Sequence, residues 1–129
     1  MQIKCLIIDD EPPAQRVIEK FVHEIPSLAL EGKCFNTREA LDLLHRKNID
    51  LIFLDINMPM MSGLEFLRTL QNPPLVIITT AYREYALDGY ELNVVDYLTK
   101  PITFTRFFQA VDKAMNRLNS RTQQSENRK

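Results

Sequence analysis

Short apolar runs rich in β-branched residues alternate with segments of helical period along most of the chain. That alternation constrains the fold more than any other feature of the sequence. The runs are Ile3 to Ile8, a weaker alternating stretch from Leu28 to Phe35, Leu51 to Leu54, Leu75 to Ile78, and Val94 to Leu98. The first, third and fourth are almost continuously apolar. A strand with one wet face alternates apolar and polar residues; a strand without that alternation is covered on both faces, as in the centre of a parallel sheet.

The intervening segments supply the covers. Ala14, Val17, Ile18, Phe21 and Val22 recur at helical spacing, and Pro12 with Pro13 suits a loop and first helical turn. Asn36 with Glu39, and Ser62 with Glu65, have the spacing of a capping box, and each precedes an amphipathic stretch. A less regular fourth helix is expected from Tyr82 to Tyr90. A fifth carries the stripe Phe104, Phe107, Phe108, Val111, Met115 and Leu118, whose phenylalanines are expected in the core. Strand and helix in strict turn predict an α/β domain, (βα)5, with a doubly wound parallel five-stranded sheet. From Asn119 the chain turns polar and reads as a tail or linker.

A chain of 129 residues, 45% apolar and 26% charged, suits one compact domain. A net charge of −1 gives no electrostatic case for binding nucleic acid or a membrane surface. No apolar stretch approaches membrane-spanning length, and the first residues run into a strand rather than a secretory signal, so a cytoplasmic location is expected. Cys5 and Cys34 lack metal-ligand spacing and read as buried, reduced thiols. His23 and His45 fall on helices with no partner that suggests catalysis.

In an open parallel sheet, ligands bind beyond the carboxyl ends of the strands. The first strand ends in Asp9 and Asp10, within "LIIDDEPP"; the third ends in Asp55, within "LIFLDINMPMMSG". The fourth ends in Thr79 and Thr80, followed by Ala81, and the fifth leads to Lys100 and Pro101. Carboxylates, a hydroxyl and an ammonium are therefore expected on one rim. Like charges crowded together need a cation or a proton, and oxygen ligands at such a rim suit Mg²⁺. A carboxylate there can act as a nucleophile and become an aspartyl phosphate, with the metal and Lys100 neutralising the phosphoryl oxygens. Taken singly these residues read otherwise: the acidic run as a solvated helix N-terminus, Lys100 as a surface lysine, Thr80 as a helix cap, Tyr97 as sheet packing.

The stretches Asp9-Asp10-Glu11, "DINMPMMSG" from Asp55, "TTA" from Thr79 and "DYLTKP" from Asp96 occur in that order, each at a strand end. Together they resemble the receiver domain of bacterial two-component response regulators over residues 3 to about 118. The stretch "AYREYALDGYELNVVDYLTKPI" resembles more narrowly the receivers of LytTR-type (LytR/AlgR-like) regulators. The resemblance implies a flavodoxin-like fold with strand order 2-1-3-4-5, a receiver over 1–118 and a tail or linker over 119–129. It implies Asp55 as phosphoacceptor; Mg²⁺ on Asp10, Asp55 and the Asn57 carbonyl, with Asp9 acting through a water; and Lys100, Thr80 and the Ala81 N–H on the phosphoryl group. Thr80 and Tyr97 would form the switch, and the bond before Pro101 would be cis.

The implied partner is a sensor histidine kinase. A phosphorylation-dependent homodimer through the fourth helix, fifth strand and fifth helix is expected, with no nucleic acid bound by this domain itself and any DNA-binding output outside the chain. Catalysis would be limited to self-phosphorylation and self-dephosphorylation. A stand-alone receiver acting by protein contact is the alternative. A haloacid-dehalogenase-like phosphatase also uses a strand-end aspartate with Mg²⁺, but it wants a second aspartate where this chain has Asn57.

Overall fold

The computed structural model describes residues 2–82 and 93–127. Five strands, β1 (Ile3–Ile8), β2 (Leu28–Cys34), β3 (Leu51–Asp55), β4 (Leu75–Thr80) and β5 (Val94–Thr99), form one parallel sheet in the order β2-β1-β3-β4-β5. The helices among the described residues are α1 (Pro12–His23), α2 (Thr37–Arg46), α3 (Gly63–Thr69) and α4 (Phe104–Asn127). α4 is the helix expected fifth from the sequence; the expected fourth, Tyr82 to Tyr90, lies outside the described residues except for Tyr82.

The unbroken apolar runs are explained by two clusters, one on each face of the sheet. Cys5, Ile7, Phe53, Leu75 and Ile77 point to one face, where α1 and α4 add Ile18, Val22 and Phe107. The alternate residues Leu6, Ile8, Leu54, Val76 and Ile78 point to the other, beneath Ala40 of α2 and Phe66 of α3. Phe107 is fully buried and stacks on Phe53 with ring centroids 5.1 Å apart. Phe104 and Phe108, expected in the core, are instead 38% and 54% exposed. Helical spacing defines a stripe wider than the face α4 can bury: Phe107, Ala110, Val111 and Ala114 fill that face, while Phe104 and Phe108 lie at its margin against Phe21 and each other.

Both expected caps form. Asn36 accepts from the Glu39 N–H, and Ser62 and Glu65 make a reciprocal capping box. α4 continues past Asn119 to Asn127, because the polar segment contains no glycine or proline to stop it, and Arg121 reaches back to the Asn93 side chain at 3.2 Å. No described helix is long and apolar enough to cross a membrane. Burial pushes the thiols of Cys5 and Cys34 up to about 12 and about 11, and both are free.

Candidate functional site

Register brings the rim together. Ile8 pairs with Leu54, so Asp9 leaves β1 level with Asp55 at the end of β3. Asp55 pairs with Thr79, and Thr80 with Thr99, which places Lys100 one step beyond the β4 end. The gap between β1 and β3 is where the order of strands reverses, and there the chain leaves the sheet in opposite directions and opens a crevice.

Carboxylate oxygens of Asp9, Asp10, Glu11 and Asp55 lie within 4.8 Å of one another. Asp9 and Asp55 are each only 2% exposed. The Lys100 ammonium stands 3.0 Å from Asp9, 3.3 Å from Glu11 and 3.6 Å from Asp55, so it forms hydrogen-bonding distances to the first two and a looser ion pair with the third. The Lys100 ammonium thus faces three of the four carboxylates. Burial, then the charge of Asp9, push the Asp55 carboxyl up to about 7, against the opposing pull of Lys100 and the Asn57 N–H. Burial draws the Lys100 ammonium down, but the hydrogen bond to Asp9 and the charges of Asp55 and Asp9 outweigh it and its pKa is raised.

The fit to a hard divalent cation follows from two atoms. Asp10 Oδ1 and Asp55 Oδ2 are buried and, among the described residues, accept no hydrogen bond, so each keeps a lone pair for a cation. An all-oxygen donor set of this kind suits Mg²⁺. The Asp55 side chain accepts from the N–H of exposed Asn57 at 3.3 Å. Thr80, fully buried, accepts from the Tyr82 N–H at 3.1 Å, and the N–H of Lys100 donates to the Thr80 carbonyl at 2.7 Å. Ala81 follows, exposed. Thr80 continues the Val76–Ile78 row, the same face on which Tyr97 packs. The Lys100–Pro101 peptide is cis.

Glu11, the third member of the acidic run, joins the carboxylate cluster and pairs with Lys100. Two residues at the site escaped the sequence reading, Gln15 and Gly63. Gln15, buried on the inner face of α1 with Ile18 and Val22, donates to main-chain carbonyls at the rim; its signal was a polar residue at core spacing. Gly63 packs against the backbone of Asp55 and Ile56, where an added Cβ would lie 2.3 Å from the Asp55 carbonyl oxygen. A cavity of about 850 Å³ opens at the opposite end of the sheet, lined by Leu41, Leu44, Ile49, Thr69 and Pro74 among others, and it shares no residue with the cluster.

Residues 5–112 match the response regulator receiver domain family. The chain is similar to the transcriptional regulatory protein BtsR of Escherichia coli (strain K12), 38% identical over 118 residues, which are 90% of this chain and 48% of that protein. It is also similar to the transcriptional regulatory protein LytR of Staphylococcus aureus (strain N315), 37% identical over 114 residues, 86% of this chain and 46% of that one. The chain therefore spans about half the length of the curated relatives it matches. Among solved structures, the REC domain of AraT, a response regulator from Geobacillus stearothermophilus, superposes with a TM-score of 0.82 at 30% identity, covering 95% of this chain and 99% of that one. The response regulatory domain of mrkE from Klebsiella pneumoniae gives 0.80 at 26% identity, covering 92% and 99%. The family match takes in the acidic run, Asp55, the threonines and Lys100 in one span, and with it the chain belongs to the response regulator receiver family of two-component signalling.

Proposed function

We propose that this receiver accepts a phosphoryl group on Asp55 from the phosphohistidine of a sensor kinase, and that the change switches an output surface. The observation that carries this reading is the buried Asp55 carboxylate, with an oxygen that accepts no hydrogen bond from the described residues, set within one cluster of carboxylates beside a lysine ammonium. Asp10, Asp55 and the Asn57 carbonyl would hold Mg²⁺, with Asp9 acting through a water. The ion, when bound, supplies positive charge to the equatorial phosphoryl oxygens. An Asp55 oxygen forms the new bond to phosphorus as the P–N bond of the donor breaks, and the electron pair stays on the histidine nitrogen. Lys100 then gives up its contact with Asp9 or Glu11 to pair with the phosphoryl oxygens, and Thr80 and the Ala81 N–H supply hydrogen-bond donors.

Thr80 is the switch. Its hydroxyl turns from the Tyr82 N–H toward the phosphoryl group and relieves packing on the face it shares with Tyr97. A pairing of phosphorylated domains through β5, α4 and the segment that includes residues 83–92 would read out that change. The receiver spans 1–118, and 119–129 leads as a linker, helical to Asn127, toward an output; a DNA-binding output of LytTR type is supported by the likeness to BtsR and LytR, both named transcriptional regulators. A cytoplasmic site of action goes with a kinase partner that acts inside the cell. Incubation with acetyl phosphate and Mg²⁺, read by intact mass, tests the central step: one phosphate adduct is expected, absent in Asp55→Asn. An adduct that persists in that variant refutes the assignment.

A further inference from the structure

We propose that Gln15 is a positioning residue for the acidic loop, fixing the main chain of Asp9 and thereby the aim of the Asp10 carboxylate. The proposal rests on the reading of Asp10 as a metal carboxylate. Gln15 is 2% exposed and sits one turn inside α1, in line with Ile18 and Val22, where an apolar side chain would pack. Its amide nitrogen donates to the Cys34 carbonyl at 2.7 Å and to the Asp9 carbonyl at 2.9 Å. Both partners are acceptors, so the nitrogen, not the oxygen, must face them, and both of its hydrogens are used.

These bonds stand where the ladder ends. Ile8 and Cys34 are the last paired residues of β1 and β2. Beyond them the Asp9 N–H still donates to the Cys34 carbonyl at 3.0 Å, and after that no sheet bond holds the chain. Gln15 closes a ring there, from the Asp9 N–H to the Cys34 carbonyl, through the amide, and back to the Asp9 carbonyl. The peptide that carries Asp10 is thus pinned from inside the domain. Asp9 Oδ1 adds a local turn by accepting from the Glu11 N–H at 2.9 Å. The arrangement is not the most favourable one for packing, since Gln15 Oε1 is buried and accepts no hydrogen bond from the described residues. A methionine of similar shape would leave no such orphan on its own side chain, so what recommends glutamine is the pair of bonds its nitrogen makes.

The test compares Gln15→Met, which keeps the bulk and removes both donors, with Gln15→Asn, whose shorter arm reaches at most one carbonyl. Val22→Ala, in the same helix and remote from the loop, is the stability control. Mg²⁺ affinity by calorimetry and amide hydrogen exchange at Asp9 by NMR are measured on the full chain beside Tm. Gln15→Met is expected to weaken Mg²⁺ binding roughly tenfold, as loss of a group that orients a metal ligand does, and to speed exchange at Asp9. Gln15→Asn should fall between it and wild type, and Val22→Ala should lose as much Tm with affinity within about twofold of wild type. Unchanged affinity and exchange in both Gln15 variants, or an equal affinity loss in Val22→Ala, overturns the proposal. Failure of the wild type to bind Mg²⁺ overturns the metal reading instead, and the exchange rate at Asp9, which needs no metal, still decides the positioning.

Discussion

Replacing Gly63 by alanine should damage the site through the backbone. Gly63 opens α3 and donates its N–H to the Ile56 carbonyl at 2.8 Å, which folds the loop after β3 tightly onto the strand end. An alanine Cβ would lie 2.3 Å from the Asp55 carbonyl oxygen and 3.1 Å from both Asp55 C and Ile56 Cα. Ordinary contact begins near 3.4 Å, so about 1 Å must be found, and every atom in the way is main chain. Overpacking of this kind costs about 1–3 kcal/mol, less a fraction of the ~1 kcal/mol that alanine gains over glycine in a helix. For a domain of this size that corresponds to a fall in Tm of roughly 4–12 °C. The displaced atoms belong to Asp55, so Mg²⁺ affinity and phosphate incorporation should fall as well, at temperatures where the variant is fully folded. Gly32→Ala is the comparison: its Cβ meets the tip of Leu43 at 2.5 Å, a side chain that can swing aside, and little loss is expected. Thermal unfolding by circular dichroism, with intact-mass phosphorylation assays, reads both. A Gly63→Ala variant within 2 °C of wild type, by the ~4 °C per kcal/mol used here, would show that the loop yields freely and that the reasoning is wrong.

Other perturbations follow from the same site. With its carboxyl raised from 3.8 to about 7, folded Asp55 holds a proton more tightly than the unfolded chain does; the stability this contributes is full below about pH 4 and lost as pH rises through 7. In EDTA, Asp55→Asn should therefore gain stability relative to wild type as pH climbs from 4 to 8, and a constant or shrinking difference in Tm would contradict the burial of that charge. Asp10→Ala should abolish most Mg²⁺ binding, whereas Glu11→Gln, on a side chain 63% exposed and paired with Lys100 at the surface, should change it by less than about fivefold; equal losses would mean that Glu11 is itself a ligand. Thr80→Ala should still take phosphate on Asp55 yet lose the NMR shifts that beryllofluoride induces along β5, and wild-type shifts in that variant would detach Thr80 from the switch.

Much of the fold was legible because the signals are local and redundant. β1, β3 and β4 announce burial on both faces by apolar runs without alternation, and a capping Asn36 and the Ser62–Glu65 capping box mark where α2 and α3 begin. The rim was legible for a different reason: in a parallel sheet the residue after each strand has only one place to be, so strand ends spaced along the chain converge without knowledge of any contact. What could not be read was which margin of a helix stays wet, as at Phe104 and Phe108, because that depends on how far α1 reaches across α4.

Gln15 and Gly63 belong to a third kind of residue, and they show why the site could be located before it could be explained. Each acts on the main chain of an aspartate rather than on its carboxylate: Gln15 by two hydrogen bonds that end the β1–β2 ladder, Gly63 by lacking a Cβ where α3 meets the end of β3. A carboxylate within a few ångströms of three others repels them, and without a scaffold the loops would splay until the charges were solvated. Apolar packing alone does not prevent this, since Asp9 and Asp10 already lie past the last sheet pair. The loops are held instead by groups whose chemistry is spent on carbonyls and on close approach. In the sequence such groups are a polar residue among core positions and a glycine at the start of a helix, and only the tertiary contacts reveal which aspartate each one holds.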